Sequence, residues 1–223
     1  MPLSPAIGLF GGTFDPIHNG HIYPVIAAAK LANIDSVALM PNYIPAHKNA
    51  AQSTSQQRLA MIKLVCDEYP LFYPEPWEIE QSKVSYSVET LLAFRQRHPH
   101  SPICFFIGSD SLYSLPKWHR WQELLGLCHF IVCQREHQTP PKAEENNQII
   151  MQRILAKHQI TQVALLQQKL AGYIYLAKTP EINVSSSQIR ALLVKGQNPQ
   201  GLLPSAIYRY IEQFKLYQQS TNI

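Results

Sequence analysis

Short apolar runs bounded by turn residues recur along the chain and predict buried strands. They cover residues 6–10, 36–40, 102–108, 129–133 and 172–177. Within each run the apolar residues are nearly continuous, which is typical of strands buried on both faces of a parallel sheet. The region 134–170 differs from the rest because it is polar and rich in glutamine.

Segments with helical spacing lie between and after these runs. They cover residues 22–32, 55–69, 87–98, 144–159, 185–196 and 204–214, with 144–159 expected at the surface. Ser87 is placed to cap the third segment, and Gly196 is placed to end the fifth. The run 162–168 fits either a strand or a helix. Strands that alternate with helices through short links predict an open α/β sheet with right-handed crossovers.

The composition narrows the class of protein. With 223 residues, 46% of them apolar, the chain can build a sizeable core, and we expect a single domain over 1–223. No apolar stretch is long enough to cross a bilayer, and the start lacks the basic and apolar parts of a signal peptide. The sequence therefore predicts a cytoplasmic protein without a membrane partner.

The cysteines and the charge argue against further classes of protein. The four cysteines stand far apart without a C-x-x-C pair, which argues against a disulfide framework or a zinc ribbon. The net charge of +4 is spread along the chain and suits a phosphate-bearing small molecule. The chain has no dense run of lysine and arginine, so the sequence gives no indication of a nucleic-acid partner.

The stretch "GGTFDPIHNGH" (11–21) carries the candidate chemistry. It follows the first predicted strand, at the sheet edge where open α/β folds bind ligands. Gly11 and Gly12 would allow a sharp turn and the close approach of an anion. His18 and His21 lie three residues apart at the start of a helix, so that both rings can donate to phosphate oxygens.

Other interpretations of this stretch stay open. The two histidines could ligate a metal, although no third ligand with a known spacing is visible. Asp15, which precedes a proline, is better explained as a residue that stabilises the turn. The chain contains neither G-x-x-x-x-G-K-[ST] nor G-x-G-x-x-G, so imidazoles rather than a Walker lysine would hold the phosphate.

The string "GTFDPIHNGH" resembles the [TH]-x-G-H signature of the nucleotidylyltransferase superfamily, and the longer string is most similar to bacterial nicotinate-nucleotide adenylyltransferases. The resemblance implies a Rossmann-like, doubly wound, mainly parallel sheet with helices on both faces and a C-terminal helical segment. It also implies adenylyl transfer from ATP to nicotinate mononucleotide in NAD biosynthesis, giving nicotinate adenine dinucleotide and pyrophosphate. Mg²⁺ would be held mainly through the ATP phosphates, without a metal site built from protein residues.

Three segments resemble the family's mononucleotide-binding parts. "PNYIPAHK" (41–48) is similar to "PNxxPPHK", "VSYSVETL" (84–91) to "PSYTxxTL", and "IGSDSLYSLPKW" (107–118) to "IIGxDSLxxxxxW". The resemblance implies that the mononucleotide contacts Thr13, His47, Lys48, Tyr86, Ser87, Asp110, Trp118 and His119. Departures from the family pattern occur at Ala46, Val84 and His119. Trp118 would stack on the pyridine ring, whereas Trp121 is better explained as core.

Two further segments resemble the ATP-binding parts. "IVCQRE" (131–136) is similar to "IVCRRP", with a departure at Gln134, and "NVSSSQIRALL" (183–193) is similar to "ISSTxIR". The resemblance implies that ATP contacts Gly11, Gly12, Thr13, Phe14, His18, His21, Gly108, Asp110, Arg135, Ser185, Ser186, Ser187 and Arg190. The helical part 185–217 would complete this site.

The implied reaction sets the roles of four residues. The attacking phosphate is already ionised, so the protein has to align two polyanions and neutralise the developing charge. His18 and His21 would serve the α-phosphate, while Lys48 and Arg190 would clamp the other phosphates. Alternatives are an adenylyltransferase for nicotinamide mononucleotide or phosphopantetheine, a non-catalytic nucleotide-binding module and a metallohydrolase. The sequence does not indicate the oligomeric state.

Overall fold

Two parallel sheets organise the described residues, which are 3–45, 51–135 and 145–218 of a computed structural model. The strands are β1 (Ile7–Gly12), β2 (Val37–Pro41), β3 (Ile44–Pro45), β4 (Phe72–Pro74), β5 (Val84–Ser85), β6 (Ile103–Gly108), β7 (His129–Arg135), β8 (Gln159–Ile160) and β9 (Ile174–Thr179). Seven of them form one sheet in the order β4-β2-β1-β6-β7-β9-β8, and β3 pairs with β5 beside it. Every pairing in the large sheet is parallel.

The helices connect these strands. They are α1 (Asn19–Ala32), α2 (Ser55–Glu68), α3 (Trp77–Gln81), α4 (Ser87–Arg97), α5 (Ser109–Ser114), α6 (Trp121–Leu127), α7 (Glu145–His158), α8 (Ser186–Val194) and α9 (Ser205–Gln213). Short 3₁₀ turns cover Leu115–Lys117 and Val163–Gln167. No helix in the described ranges is long and apolar enough to cross a membrane.

The strand order reverses next to β1. From β1 the sheet grows through β2 to β4, and the chain then returns to place β6, β7 and β9 on the other side of β1. In doubly wound folds a ligand crevice opens at such a reversal, beyond the carboxyl ends of the strands. The β1/β6 boundary therefore marks the position where a site is expected.

Apolar clusters cover both faces of the large sheet. Alternate strand residues point to opposite faces, so Leu39 belongs to one cluster while Ala38 and Met40 belong to the other. Buried residues from α1, α2, α8 and α9 join the first cluster, and those from α4, α5, α6 and α7 join the second. The predicted doubly wound α/β class, with helices on both faces and a C-terminal helical segment, is confirmed.

Several local predictions need correction. Tyr86, not Ser87, occupies the N-cap position of α4, and Ser87 is its first residue. The ambiguous run 162–168 forms a 3₁₀ turn instead of a strand or an α-helix. The helix predicted at the surface over 144–159 buries Met151 completely against the second cluster. Gly196 does follow α8 in the left-handed conformation, with φ of 68°, and the four cysteines are free.

Candidate active site

A cavity of about 320 Å³ opens at the predicted edge of the sheet. Its walls come from the ends of β1, β2 and β6, from the segment around β5 and α4, and from α5 with the turn that follows it. Nine of the predicted site residues line it: Gly11, Gly12, Thr13, Tyr86, Ser87, Gly108, Asp110, Trp118 and His119. The structure thus brings together motifs that are up to 108 positions apart in the sequence.

The end of β6 presents a carboxylate to the cavity. Asp110 lies in the first turn of α5 and is exposed. A side chain at Gly108 would place its Cβ 2.5 Å from Asp110 Oδ1, closer than real Cβ contacts occur. Glycine at position 108 therefore gives the carboxylate room over the strand end, where a ribose hydroxyl pair could donate to it.

Aromatic side chains form another part of the cavity wall. The Trp118 ring packs edge-on against Phe105, with the ring centroids 6.4 Å apart. Tyr86 and His119 make a second ring contact at 4.7 Å, and all four residues line the cavity. Trp118 and Trp121 both pack, partly buried, against the second apolar cluster, but Trp121 is not among the residues that line the cavity. A planar heteroaromatic ring fits between such walls.

The loop after β1 turns at Phe14 and not at its glycines. Gly11 and Gly12 are the last residues of β1, and the left-handed conformation falls on Phe14, with φ of 52°. The Phe14 ring is buried under the loop, and a Cβ at Gly12 would lie 2.8 Å from it. Gly12 is thus required because Phe14 folds back beneath it, which corrects the expectation of a glycine turn.

The paired histidines meet as the spacing predicted. Their rings stack with centroids 3.7 Å apart, and the backbone N–H of His18 donates to His21 Nδ1 at 3.3 Å. His18 lies at the N-cap of α1 and is buried, and burial lowers its pKa from 6.5 to about 4. His18 is therefore neutral at pH 7, so it can donate one hydrogen bond but contributes no charge. The ring of Phe10, which lines the cavity, lies 6.2 Å from His21.

Asp15 is a buried structural acceptor. Its carboxylate accepts from the backbone N–H groups of Gln52 and Ser53, from the Ser53 hydroxyl at 2.5 Å and from the Tyr217 hydroxyl at 2.7 Å. Its peptide bond to Pro16 is cis. These contacts join the loop after β1 to the segment before α2 and to the end of the described chain. The structural interpretation of Asp15 is confirmed.

The serine-headed helix α8 docks on the same loop. Ser185 caps α8 by accepting from Gln188 N–H at 3.1 Å, and the Ser186 hydroxyl donates to the Pro16 carbonyl at 3.0 Å. Arg190 donates through Nη1 to the Asp15 carbonyl at 2.6 Å and through Nη2 to Ser187 Oγ at 3.3 Å. Ser186 and Arg190 therefore contact residues 15 and 16 of the loop that leads to His18, and the predicted phosphate-binding residues of α8 are not among those that line the cavity.

Unsatisfied polar atoms concentrate around this loop. Within the described ranges, the buried side-chain atoms without a hydrogen-bond partner are His18 Nδ1, Asn19 Oδ1, Arg58 Nε and Arg190 Nε. Buried polar groups in proteins are nearly always paired, and exceptions call for an explanation such as a functional site. Their clustering around 13–19 indicates a place prepared for a polar ligand.

Some predicted site residues are not tested by the structure. His47, Lys48 and the departure at Ala46 lie outside the described residues. Arg135 is the last residue of β7, but only its backbone is described, and Gln134 beside it is exposed. Over the described ranges, no group of three or more His, Cys, Asp or Glu side chains is arranged to hold a metal ion.

Sequence reasoning missed two buried charged residues. Arg58 of α2 is 1% exposed and contacts the loops after β1 and β2, and Glu78 of α3 lines the cavity and accepts from the Thr90 hydroxyl. Burial raises the pKa of Glu78. A signal was available for Arg58: it shares the helical spacing of Met61, Ile62 and Val65, which form the buried stripe of α2. An arginine on an apolar stripe needs buried partners.

Comparison with known proteins identifies the class. The family model described as cytidylyltransferase-like matches residues 9–192, which include the loop after β1, the cavity and most of α8. The chain therefore belongs to the cytidylyltransferase-like family, as the doubly wound sheet and the paired histidines of the site suggest.

Full-length relatives narrow the family. The chain is 45% identical to the "Probable nicotinate-nucleotide adenylyltransferase" of Pseudoalteromonas atlantica, over 98% of each chain. It is 42% identical to the protein of the same name from Aeromonas salmonicida, over 97% of this chain and 99% of that one. The chain is a member of the nicotinate-nucleotide adenylyltransferase family.

Solved structures share the fold at low identity. The Plasmodium falciparum nicotinic acid mononucleotide adenylyltransferase complexed with NaAD superposes with a TM-score of 0.69 and 20% identity, over 96% of this chain and 98% of that one. The same Plasmodium falciparum enzyme complexed with APC superposes with a TM-score of 0.65 and 19% identity, over 95% of this chain and 96% of that one. These likenesses confirm the Rossmann-like architecture.

Proposed function

We propose that this protein transfers the adenylyl group of ATP to nicotinate mononucleotide, giving nicotinate adenine dinucleotide and pyrophosphate in NAD biosynthesis. The observation that carries the proposal is the cavity at the β1/β6 reversal, joined through Phe10 to the stacked pair His18 and His21. Membership of the nicotinate-nucleotide adenylyltransferase family supports the choice of substrates. We infer one domain over 1–223, with 185–217 completing the ATP site; the cytoplasmic location stays a prediction.

The cavity supports a mononucleotide site. Trp118 stacks on the pyridine ring, and Tyr86, Ser87 and His119 surround its carboxylate end. Asp110 accepts from ribose hydroxyls, while Thr13 donates toward the phosphate from the end of β1. The partly apolar, half-open shape of the cavity suits a ligand with one aromatic and one anionic end.

The histidine pair and the start of α8, next to the cavity, support a site for the triphosphate of ATP. An oxygen of the mononucleotide phosphate attacks the α-phosphorus of ATP, and the bond between that phosphorus and the oxygen bridging to the β-phosphate breaks. Pyrophosphate leaves with the electron pair, and because the attacking phosphate is already ionised, no general base is needed. His18 and His21 donate to the α-phosphate oxygens, and Arg190 holds the β- and γ-phosphates, while Lys48 clamps the phosphate of the mononucleotide or of the triphosphate.

The side chains near the histidines indicate how Mg²⁺ would be held. Asp15, a buried carboxylate on the loop that leads to the histidines, already accepts from Gln52, Ser53 and Tyr217. We infer that Mg²⁺ is held mainly by the ATP phosphates and water, as this ion commonly is in nucleotide sites. When bound, it would neutralise charge on the triphosphate, and the residues named above supply the remaining contacts.

The experiment that tests the proposal measures pyrophosphate release from ATP with one acceptor at a time. We expect release with nicotinate mononucleotide. Release that requires nicotinamide mononucleotide or phosphopantetheine would assign a different acceptor. ATP binding without product from any acceptor would indicate a non-catalytic module and would contradict the proposal.

A substitution of His21 tests the mechanism. An oriented donor at a developing charge contributes about 3–4 kcal/mol, so His21→Ala should lower kcat roughly 10²- to 10³-fold. The measurement is steady-state kinetics on a variant whose unfolding transition matches the wild type.

His100→Ala is the matched control, because His100 is exposed and lies near the amino-terminal end of β6. It should retain normal turnover. A His21→Ala enzyme with near-normal kcat would remove His21 from the mechanism.

A further inference from the structure

Arg58 is a fully buried cation beneath the site. It is 1% exposed, and its guanidinium donates to the Thr13 carbonyl at 2.8 Å and to the Tyr43 carbonyl at 3.1 Å. None of the ion pairs in the described part of the chain includes it. Burial lowers the pKa of Arg58, although the buried carboxylates of Asp15 and Glu78 offset part of the cost of burying this charge.

The contacts of Arg58 connect two loops that line the cavity. Thr13 follows β1, while Asn42 and Tyr43 follow β2, and these strands are neighbours in the sheet. Arg58 Nη1 also approaches Asn42 Oδ1 at 3.5 Å. Because the guanidinium faces the oxygen of the Asn42 amide, the NH₂ group of that amide is directed away from Arg58.

The Asn42 amide in turn orients the Thr13 hydroxyl at the cavity wall. Asn42 Nδ2 donates to Thr13 Oγ1 at 3.3 Å, and both residues line the cavity. This contact occupies an acceptor lone pair of the Thr13 hydroxyl, whose proton is then available to a ligand. A chain of donors therefore runs from Arg58 through Asn42 to Thr13, and each bond polarises the next.

We propose, on the basis of the function proposed above, that Arg58 is a positioning residue for the mononucleotide. Through Asn42 it directs the hydroxyl proton of Thr13 toward an anionic oxygen of that substrate. Its buried positive charge lies on the same side of the cavity and favours the phosphate over a neutral group. The ATP phosphates, held by the cluster around α8, depend on Arg58 less.

Arg58→Lys tests the proposal because lysine keeps the charge but loses the planar fork. We expect Kd and KM for nicotinate mononucleotide to rise about tenfold, as for the loss of one charge-assisted hydrogen bond. KM for ATP should change less than about threefold, since the residues proposed to contact ATP, apart from Thr13, are ones to which Arg58 does not donate. Isothermal titration with nicotinate mononucleotide alone measures Kd without turnover.

Arg95→Lys is the matched control. Arg95 also donates to backbone carbonyls, those of His98, Ser101, Leu127 and Leu170, but these lie at the amino-terminal entries of the strands. We expect this variant to melt at a lower temperature and to bind nicotinate mononucleotide like the wild type. Equal affinity in Arg58→Lys and wild type would overturn the proposal, as would an equal loss of affinity in both lysine variants.

If Arg58→Lys does not fold, Asn42→Ala provides the test, because it removes the hydrogen bond between Asn42 and Thr13 that follows Arg58 in the same network. Alone it should weaken mononucleotide binding about tenfold, and combined with Arg58→Lys it should add little. Additive losses, or an Asn42→Ala protein with normal affinity, would overturn the proposal. A wild type that binds no mononucleotide would instead refute the proposed function, and with it the role of Arg58.

Discussion

His129 shows how a buried histidine can be fixed in one tautomer. Its Nε2 lies 2.9 Å from the Lys169 carbonyl and must donate, while Nδ1 accepts from Tyr173 N–H at 3.0 Å. Protonation of Nδ1 would place two N–H groups face to face. The side chain is fully buried, and burial lowers its pKa from 6.5 to about 4.

The stability of the protein should therefore fall on acidification. The unfolded state binds a proton near pH 6.5 and the folded state only near pH 4, so the contribution of His129 is complete above pH 6.5. It should decline as the pH falls to 4, by about 3 kcal/mol at most. Denaturant unfolding of wild type and His129→Gln measures this, and we expect the variant's free energy of unfolding to depend less on pH. Parallel curves would refute the assignment.

The site residues differ in how far the sequence could reveal them. The histidine pair was predictable because its spacing of three residues on a helix is local. Arg58 could be suspected from its place on an apolar stripe, but its partner Thr13 is 45 positions away. The link from Asp15 to Tyr217 spans 202 positions and follows only from the packed fold.

The turn after α9 ties the chain to the site loop through one hydroxyl. Tyr217 donates to Asp15 Oδ1, and its hydroxyl lies 3.1 Å from Ser53 Oγ. Because a hydrogen bond to a charged group contributes roughly 1.5–3 kcal/mol, Tyr217→Phe should lower the free energy of unfolding by about 2 kcal/mol. Chemical denaturation provides the measurement.

Tyr210→Phe in α9 is the control for that change. The half-buried Tyr210 ring packs against Phe214, and because phenylalanine keeps this ring contact, removing the hydroxyl should alter stability by less than about 0.5 kcal/mol. If Tyr217→Phe were as stable as wild type, the hydroxyl would not join the two segments in solution.

Element length decided which parts of the fold were predictable. The apolar runs that predicted β1, β2, β6, β7 and β9 are recognisable because strands covered on both faces need continuous apolar sequence. β3, β5 and β8 have two residues each, and β4 has three, too few to show a period. Their pairing depends on neighbours supplied by the tertiary fold.

The reversal of strand order gives the molecule its site. Residues on the β2 side, such as Thr13 and Asn42, face residues on the β6 side, such as Asp110 and Trp118, across one cavity. A ligand that contacts both groups must bind the folded protein better than the unfolded chain. It therefore raises the free energy of unfolding, by about 2.7 kcal/mol at a concentration of 100 times Kd.

Trp118 and Trp121, three residues apart, allow a test of where the pyridine ring binds. Both tryptophans pack against the second apolar cluster, but only Trp118 also lines the cavity, so their replacement by leucine should affect ligand binding differently. We expect Trp118→Leu to lose most of the stabilisation by nicotinate mononucleotide, measured as the ligand-induced shift from its own melting temperature. Trp121→Leu should melt earlier and keep the full ligand-induced shift. Thermal unfolding with increasing mononucleotide distinguishes them, and an undiminished shift in Trp118→Leu would mean that the pyridine ring binds away from this wall.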